Sequence, residues 1–511
     1  VTTDFNNAIE TAGDRRIYRE AMVDYNRTFG KHDVNAMLLY NQDELVNNVP
    51  SGDTGSQRLI SSLPKRKQGL AGRFSYAYDG KYMAEVNMGY NGSENFAKGH
   101  RWGFFPSVAL GYNISEESFF EPLRKVVTNM KLRGSWGLVG NDQIGGERFI
   151  YMPTIDLSGK GFTTGIDQNY GLNGPVYTRY ENNNITWEVG KKINLGVDLQ
   201  LLNSLNIVVD IFRENRRNIF QKKGTIPTYL GTGSTDVYGN LAEMKNQGFD
   251  LSIDYNKAFS KDFYMNFKGT FTYAHNEITK YDEAPKYAFQ SKVGQSANVT
   301  SGYLSNGLFL DEAEIDRYNQ QMGSTLGAGD IKYINVSKMH GYDDDIVDVD
   351  DWTWIGNPSV PEIVYGFGPS FKYKKWDFSF FFQGVAKTSL FMSGFHPFGD
   401  NSLRNVLQFV ANDRWSPTNQ NVDAKYPRLT RKTSLNNTRT SDYWMRNGSF
   451  LKLKNMEIGY TLKRMRFYVS GSNLLTFSKF DLWDPEQGGG SGLKYPTQRV
   501  FNVGFQMTFN N

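Results

Sequence analysis

Hydrophobic side chains occupy every second position at the C-terminal end of the chain. Phe501, Val503, Phe505, Met507 and Phe509 alternate with polar or small residues at positions 502, 504, 506 and 508. A period of two is the register of a β-strand, in which successive side chains point to opposite faces. One face of this strand is therefore apolar and the other is polar, as in a wall between lipid and water.

The same alternation recurs along the whole chain. The runs have about the 9 to 11 residues that a tilted membrane-crossing strand needs, whereas soluble strands most often have about 5 to 6. Fifteen such strands are predicted, near residues 15–27, 32–43, 69–79, 81–91, 101–114, 129–139, 189–201, 204–217, 245–256, 261–276, 363–374, 375–386, 450–461, 464–476 and 498–509. Their length favours a sheet that spans a membrane.

Short and long connections alternate between the predicted strands. Tight turns are predicted at residues 79–80, 374–375 and 462–463. Long polar connections, rich in Gly, Asn, Asp and Tyr, cover residues 140–188, 277–362 and 387–449. Outer-membrane barrels have this arrangement, with short periplasmic turns and long extracellular loops. The predicted fold class is therefore all-β, a transmembrane antiparallel β-barrel.

Composition agrees with a barrel and narrows the function classes. Aromatic residues make up 15% of the chain, as expected for rings at two membrane interfaces. The mean hydropathy is −0.54, since only half of each strand would face lipid. The formal net charge is only +4 and the charges are interspersed, which argues against a nucleic-acid partner. The absence of cysteine excludes disulfides, thiol catalysis and thiolate metal sites.

No catalytic, cofactor-binding or metal-ligating constellation is predicted. No two of the histidines have the i, i+4 spacing of a zinc-binding helix; they are His32, His100, His275, His340 and His396. No G-x-S-x-G elbow occurs in a strand-to-helix context. We therefore expect that the protein is not an enzyme.

Several stretches resemble one family, in the order in which that family shows them. Residues 101–119, RWGFFPSVALGYNISEESF, resemble the "RyGffPS..lgW.iseE.F" block of SusC/RagA-like TonB-dependent transporters of the Bacteroidota, and residues 131–141, KLRGSWGLVGN, resemble the strand that follows it. Further matching stretches are Trp187-Glu188, residues 194–196, 246–249, 329–333, 415–417, 425–428, 450–455 and 471–475, and Asp484-Pro-Glu486.

The resemblance implies that residues 1–511 are the C-terminal portion of a barrel of about 22 strands. It also implies that the plug domain, the TonB box and the first strands are absent from this chain. Each unsatisfied backbone group in hydrocarbon costs several kcal/mol, so a sheet of fifteen strands with two unpaired edges is unstable in a bilayer. We therefore expect an N-terminal plug-bearing polypeptide to complete the barrel.

The function implied by the resemblance is active import of a nutrient across the bacterial outer membrane. The TonB system would move the plug, and a SusD-like surface lipoprotein would cap the extracellular mouth. The implied substrate is a glycan or an oligopeptide, with the glycan preferred from the usual role of the family.

Three aromatic residues in the longest predicted loop are candidate substrate-binding residues. Tyr342, Trp352 and Trp354 would stack on sugar faces; the alternative is that these rings pack the loop or belong to an interface girdle. The acidic stretch from Asp343 to Asp351 lies where relatives resemble a calcium-binding loop. Met339 falls where that loop needs an oxygen ligand, so a solvated acidic loop is the favoured reading and structural calcium is the alternative.

Two other functions are compatible with alternating strands. A passive outer-membrane porin, or a structural barrel, would conduct ions without an energised gate. A soluble secreted β-sandwich or adhesin would show a similar alternation, because one face of each strand packs on a core. The sandwich would bury its apolar strand faces against one another, whereas the importer and the porin would both expose them to lipid and would differ in whether a gate controls the path.

Overall fold

The computed structural model describes residues 13–47, 63–145, 148–227, 229, 236–318, 320–321, 325–342, 344–392, 406–430 and 434–509. The strands, in chain order, are β1 Asp14–Phe29, β2 His32–Asn47, β3 Lys65–Tyr78, β4 Tyr82–Ser93, β5 Trp102–Asn113, β6 Val127–Asn141, β7 Thr154–Thr164, β8 Tyr170–Arg179, β9 Glu188–Leu201, β10 Leu205–Lys222, β11 Tyr238–Ala258, β12 Phe263–Lys280, β13 Thr300–Gly302, β14 Ser305–Leu308, β15 Gln320–Gln321, β16 Ile331–Tyr333, β17 Ile346–Val347, β18 Thr353–Ile355, β19 Ile363–Tyr373, β20 Trp376–Ala386, β21 Ser389–Phe391, β22 Met445–Asn447, β23 Phe450–Leu462, β24 Met465–Ser478 and β25 Val500–Met507.

Fifteen of these strands form one antiparallel sheet. Its order is β1-β2-β3-β4-β5-β6-β9-β10-β11-β12-β19-β20-β23-β24-β25, so each strand pairs with the next strand of this sheet along the chain. All fifteen predicted strands are confirmed. The largest boundary differences are at the strand predicted over 204–217, which continues to Lys222 as β10, and at the strand predicted over 245–256, which begins at Tyr238 as β11.

The two ends of the sheet differ, as the sequence predicts. At one end, which we call the short-turn end, the connections are tight: Asp79 and Gly80 both have positive φ, of 55° and 66°, the conformation of a hairpin turn that matches the strand twist. At the opposite end, the loop end, the described parts of the long connections carry ten further strands that form five two-stranded sheets, among them β7 with β8 and β14 with β16. The hairpin of β7 and β8 lies in the region that the sequence predicts only as a loop.

The apolar face of the strands is exposed. Across β24 and β25, Val503 lies opposite Val469 and Phe505 opposite Phe467, and the side chain of Val503 is 87% exposed. A soluble sandwich would bury such side chains against a second sheet. The exposed apolar strip is instead what a lipid-facing wall requires.

Buried hydrophobic side chains are concentrated at the loop end. One cluster contains Trp444, Tyr333 and Met392, and a second contains Phe96, Ile185 and Trp187. The loops are therefore packed structures with cores of their own. This packing explains how such long connections hold a defined conformation.

Within the described ranges of the chain, helical structure is sparse and short. The α-helices are α1 Glu312–Arg317, α2 Val336–Met339 and α3 Gln408–Asn412, and the 3-10 helices are Ile114–Glu116, Ser118–Leu123, Ala288–Gln290, Asp442–Trp444 and Pro485–Gln487. Among the described residues, none of the helices combines the length and the hydrophobicity that a membrane-crossing helix needs.

The chain divides into two compact units. The first comprises Val1–Leu199, Asp210–Gln247 and Thr279–Ala284, and the second comprises Gln200–Val209, Gly248–Ile278 and Pro285–Asn511. Each of the two clusters of buried residues lies within one unit, the Trp187 cluster in the first and the Trp444 cluster in the second.

Candidate functional site

Asp330 joins two of the loop motifs on which the family resemblance rests. Its carboxylate is fully buried and forms a two-pronged ion pair with Arg428, at 2.7 Å to Nε and 3.0 Å to Nη2. The side-chain amide of Asn437 and the backbone N–H of Gly327 donate to the same carboxylate, each at 2.9 Å. Hydrogen bonds with Asp330 raise the pKa of Arg428 above its usual value. The two motifs are therefore fastened together by a satisfied buried charge.

A tryptophan from a third motif packs on this junction. Gly329 has a φ of +85°, and a Cβ placed on it would lie 2.3 Å from Cε3 of Trp415. The backbone N–H of Arg428 donates to the carbonyl of Gly329 at 2.9 Å, and that of Trp415 donates to the carbonyl of Tyr426 at 3.1 Å. Only glycine permits this close approach of ring and backbone, so the three motifs form one packed unit.

A second buried charge fixes the last long loop to the sheet. Lys452, on β23, is 0% exposed and its ammonium lies 2.5 Å from Asp484 and 2.8 Å from Glu486. Burial is the largest single effect on both carboxyls and opposes their ionisation, but the hydrogen bonds and the charge attraction from Lys452, together with the other donors around them, outweigh it and hold the pKa values of Asp484 and Glu486 below their usual range. Lys454 pairs with Glu486 from a more exposed position, at 2.8 Å.

The motifs of the first unit also converge. The indole of Trp187 donates to the carbonyl of Arg101 at 3.2 Å, and its ring contacts Phe105 edge-on with centroids 5.2 Å apart. Glu188 accepts hydrogen bonds from the side chain of Asn141 at 3.0 Å and from the backbone N–H of Phe220 at 3.1 Å. The resemblance thus picks out residues that hold neighbouring strands together at the loop end.

A cavity of about 340 Å³ lies beside Trp187 on the polar face of the first unit. Two ion pairs lie along it, Arg16 with Asp43 at 2.8 Å and Lys67 with Asp142 at 2.7 Å. The residues that line the cavity are Arg16, Tyr18, Asn41, Asp43, Lys67, Gln68, Asn91, Gly92, Asp142 and Trp187. Sequence reasoning missed this cavity, because its lining comes from four strands and two loops and has no local motif.

Paired charges continue along the polar face towards the short-turn end. Arg133 lies between Asp198, at 2.8 Å, and Asp210, at 3.0 Å. In the second unit, Arg466 lies between Asp377, at 3.0 Å from Nε, and Glu457, at 2.5 Å from Nη2. Each group has one cation between two carboxylates. Each of these two groups therefore carries one more carboxylate than cations.

Two further polar residues of the sheet strands are Lys268 and Gln383. Lys268 has a mostly exposed side chain with its ammonium 3.9 Å from Asp254. Gln383 lies on β20, opposite Gly366 of β19 and Lys452 of β23.

The structure separates the predicted aromatic residues into two groups. Tyr342 is 45% exposed and contacts Tyr287, with centroids 4.2 Å apart. Trp352 and Trp354 contact each other edge-on at 5.8 Å, and the indole of Trp354 donates to the carbonyl of Ser291 at 2.7 Å. The tryptophans are partly buried and Trp354 is tied to the loop, as in the packing alternative, whereas Tyr342 presents an exposed ring.

Tyr342 belongs to a cluster of rings, two exposed and two half-buried, that the sequence does not reveal. Tyr287 also stacks on Phe289 at 5.3 Å, and Phe289 stacks on His340 at 4.7 Å. We call Tyr287, Phe289, His340 and Tyr342 the aromatic cluster. Its members come from two segments of one long loop, so their proximity depends on how that loop folds.

The acidic stretch is organised by its own hydrogen bonds. Asp351 is fully buried, and its carboxylate accepts the backbone N–H groups of Ser337 at 2.9 Å and Asp348 at 2.8 Å. Asn335 donates to the side chain of Asp344 at 3.0 Å. Asp343, the first residue of the predicted stretch, lies outside the described residues. In the part of the chain that the structure describes, no three His, Cys, Asp or Glu side chains are grouped as metal ligands.

Comparison with known proteins connects this architecture to a family. The family model described as TonB dependent receptor-like, beta-barrel, matches residues 2–474. The chain is 26% identical to the TonB-dependent receptor P3 of Formosa agariphila, over 96% of this chain and 52% of that protein. It is 27% identical to the TonB-dependent receptor SusC of Bacteroides thetaiotaomicron, over 86% of this chain and 43% of that protein.

Among solved structures, that of the RagAB peptide transporter has the same fold over nearly all of this chain. The TM-score is 0.69 at 21% sequence identity, and the alignment covers 97% of this chain and 56% of that one. The chain spans about half the length of the curated relatives it matches. Since the family model covers most of its residues, the chain belongs to the TonB-dependent receptor-like β-barrel family, whose members lie in the bacterial outer membrane.

Proposed function

We propose that this chain supplies the barrel wall of a TonB-dependent importer, which takes up a glycan or an oligopeptide across the outer membrane. The observation that carries the proposal is the division of the strands into an exposed apolar face and a polar face with paired charges, in a chain that belongs to this family. An aqueous path enclosed by such a sheet fits transport rather than catalysis. Energy would come from TonB, acting on a plug.

The sheet edges support the proposal that further strands complete the wall. In the fifteen-strand order, β1 and β25 are the two terminal strands. A bilayer offers no hydrogen-bond partner to an unpaired strand edge, and each unsatisfied group costs several kcal/mol. We infer that a plug-bearing polypeptide, or another part of the same protein, pairs with these edges.

A SusD-like lipoprotein is the proposed partner at the loop end. The packed loops favour this assignment, because a preformed surface loses little conformational entropy when a partner docks. The buried ion pairs of Asp330 with Arg428 and of Lys452 with Asp484 keep that surface in one conformation.

The substrate class that we favour is a glycan. The aromatic cluster supports this choice, because exposed rings stack on the apolar faces of sugars and Tyr342 is nearly half exposed. Trp352 and Trp354 remain candidate contacts only through their partly exposed ring faces. Structural calcium in the acidic loop stays a separate proposal. A chelator would test it by its effect on protease cleavage at residues 335–351.

The experiment that tests the function is uptake in the native bacterium. A strain that lacks this gene would be offered oligosaccharide mixtures and peptide digests as separate sole carbon sources, with and without functional TonB. Import predicts loss of growth on one nutrient class, and the same loss when TonB is inactivated. Growth that needs the protein but not TonB would establish the passive porin instead, and a single-channel recording would then show steady conductance.

A further inference from the structure

One connection at the short-turn end is not a tight turn. Strands β5 and β6 are joined by residues 114–126, which contain the 3-10 helices Ile114–Glu116 and Ser118–Leu123. Elsewhere at this end, the described strands are joined by turns such as residues 79–81, 374–375 and 463–464. This longer connection forms a folded protrusion at the rim of the sheet.

The protrusion exposes large apolar side chains. Phe119, Leu123 and Val126 are 68%, 56% and 55% exposed, while their neighbour Phe120 is only 5% exposed. Phe120 thus anchors the segment inward, while the three exposed side chains lie within eight consecutive residues. We call these three side chains the apolar patch, and a local concentration of exposed apolar side chains on a folded surface marks a binding surface.

The protrusion begins at the lipid-facing side of the rim. Tyr82 and Tyr112 stack in parallel with centroids 5.1 Å apart, and Tyr112 pairs with Leu132 on the exposed apolar face. Glu117 accepts a hydrogen bond from Tyr82 at 2.6 Å and a longer one from Tyr112 at 3.4 Å. Glu117 immediately precedes the exposed segment, so the apolar patch continues the lipid-facing band of the sheet.

Cationic side chains lie next to the patch. Arg124 and Lys125 are both exposed. The guanidinium of Arg124 donates to the carbonyl of Ser115 at 2.6 Å and lies 3.9 Å from Glu116. Glu121, also exposed, is the acidic residue within the segment. Apolar side chains beside Lys or Arg form the pattern of a segment that lies in a membrane interface.

We propose that residues 118–126 lie in the headgroup region of the periplasmic leaflet. Phe119, Leu123 and Val126 enter the acyl chains, and Arg124 and Lys125 bind lipid phosphates. The occupant is the lipid surface, because the patch is continuous with the lipid-facing band and has cations at its border. The proposal requires only that the sheet spans a membrane, so it does not depend on which substrate is transported.

Spin labels test this placement, because the chain contains no cysteine. Single variants Phe119→Cys, Leu123→Cys and Glu121→Cys would be labelled in the full protein and reconstituted in vesicles of phosphatidylethanolamine and phosphatidylglycerol. Power saturation then compares relaxation by oxygen, which concentrates in lipid, with relaxation by a water-soluble nickel chelate. Heat-dependent mobility on a gel confirms that each variant is folded.

The proposal predicts that labels at 119 and 123 respond at least several-fold more to oxygen than to nickel, with the reverse at 121. In the labelled Leu123→Cys variant, adding Arg124→Gln and Lys125→Gln should lower the ratio of oxygen relaxation to nickel relaxation. This decrease should be larger in vesicles that contain phosphatidylglycerol than in vesicles of neutral lipid alone. Equal nickel access at all three positions would overturn the proposal. Protection of 119 and 123 from both reagents would also overturn it, because a protein surface would then cover the patch.

Discussion

Lys452 provides the most informative single substitution. Lys452→Met keeps the length of the side chain but removes an ammonium that is 0% exposed and that contacts Asp484 and Glu486. Removing one partner of a buried ion pair costs about 3–5 kcal/mol. Both carboxylates retain some solvent contact, and Glu486 keeps Lys454, so we expect the lower end of that range, about 3 kcal/mol.

Hydrogen–deuterium exchange of residues 479–499 measures this loss, since the loop can open without unfolding the sheet. At about 1.4 kcal/mol for each factor of ten, exchange should accelerate by about 100-fold. Lys454→Met is the matched control. It removes a more exposed lysine from the same cluster, and we expect about 1 kcal/mol or less.

The effect should also depend on pH. The depressed pKa values of Asp484 and Glu486 give stability that is present above their unfolded values of about 4 and is lost as the pH falls through the folded values. In the variant, which lacks the ammonium, burial disfavours the charged form of both carboxyls. Protonation of these carboxyls at low pH therefore reduces the destabilisation of the variant. The difference between variant and wild type should therefore shrink between pH 7 and pH 3. Equal exchange in Lys452→Met and Lys454→Met, or a difference independent of pH, would refute the reasoning.

Two further predictions concern the junction of loop motifs. Arg428→Met leaves the fully buried Asp330 without its cation. Hydrogen–deuterium exchange should show that residues 325–334 are destabilised by about 3 kcal/mol. Adding Asp330→Asn removes the unpaired charge and should restore part of this loss. Gly329→Ala should cost about 2–3 kcal/mol, from a left-handed backbone and a collision with Trp415. Gly341 has nearly the same φ, +86°, but a Cβ placed on it would have nothing within 4 Å. Gly341→Ala should therefore cost only about 1 kcal/mol, and a protease-protection assay compares the two variants. Equal cleavage of the two alanine variants would contradict the packing role of Trp415.

The strands were predictable because each carries its own signal. Alternation in residues such as Phe501, Val503 and Phe505 reports the two faces of a strand without knowledge of its neighbours. Tight turns such as Asp79-Gly80 fix which strands pair. A sheet in which each strand pairs with the next follows directly from these local features.

The loop architecture was not predictable in the same way. Asp330 and Arg428 are far apart in sequence, and their pairing depends on how two long loops pack. The aromatic cluster has the same origin: Tyr342 was identified as a candidate, but Tyr287, Phe289 and His340 have no motif that connects them to it. Trp354 was also identified as a candidate, but its indole donates to the carbonyl of Ser291, in a separate segment of the loop. No sequence pattern indicates that contact.

The central claim is that one face of each long strand contacts lipid and the other contacts water. Consecutive single cysteines at residues 501–506 of β25 would each carry a fluorescent label in the reconstituted protein. Quenching by brominated phospholipid is then compared with quenching by aqueous iodide. The account predicts a period of two, with positions 501, 503 and 505 quenched by lipid and positions 502, 504 and 506 quenched by iodide. Uniform quenching by iodide along the strand, with no response to brominated lipid, would contradict it.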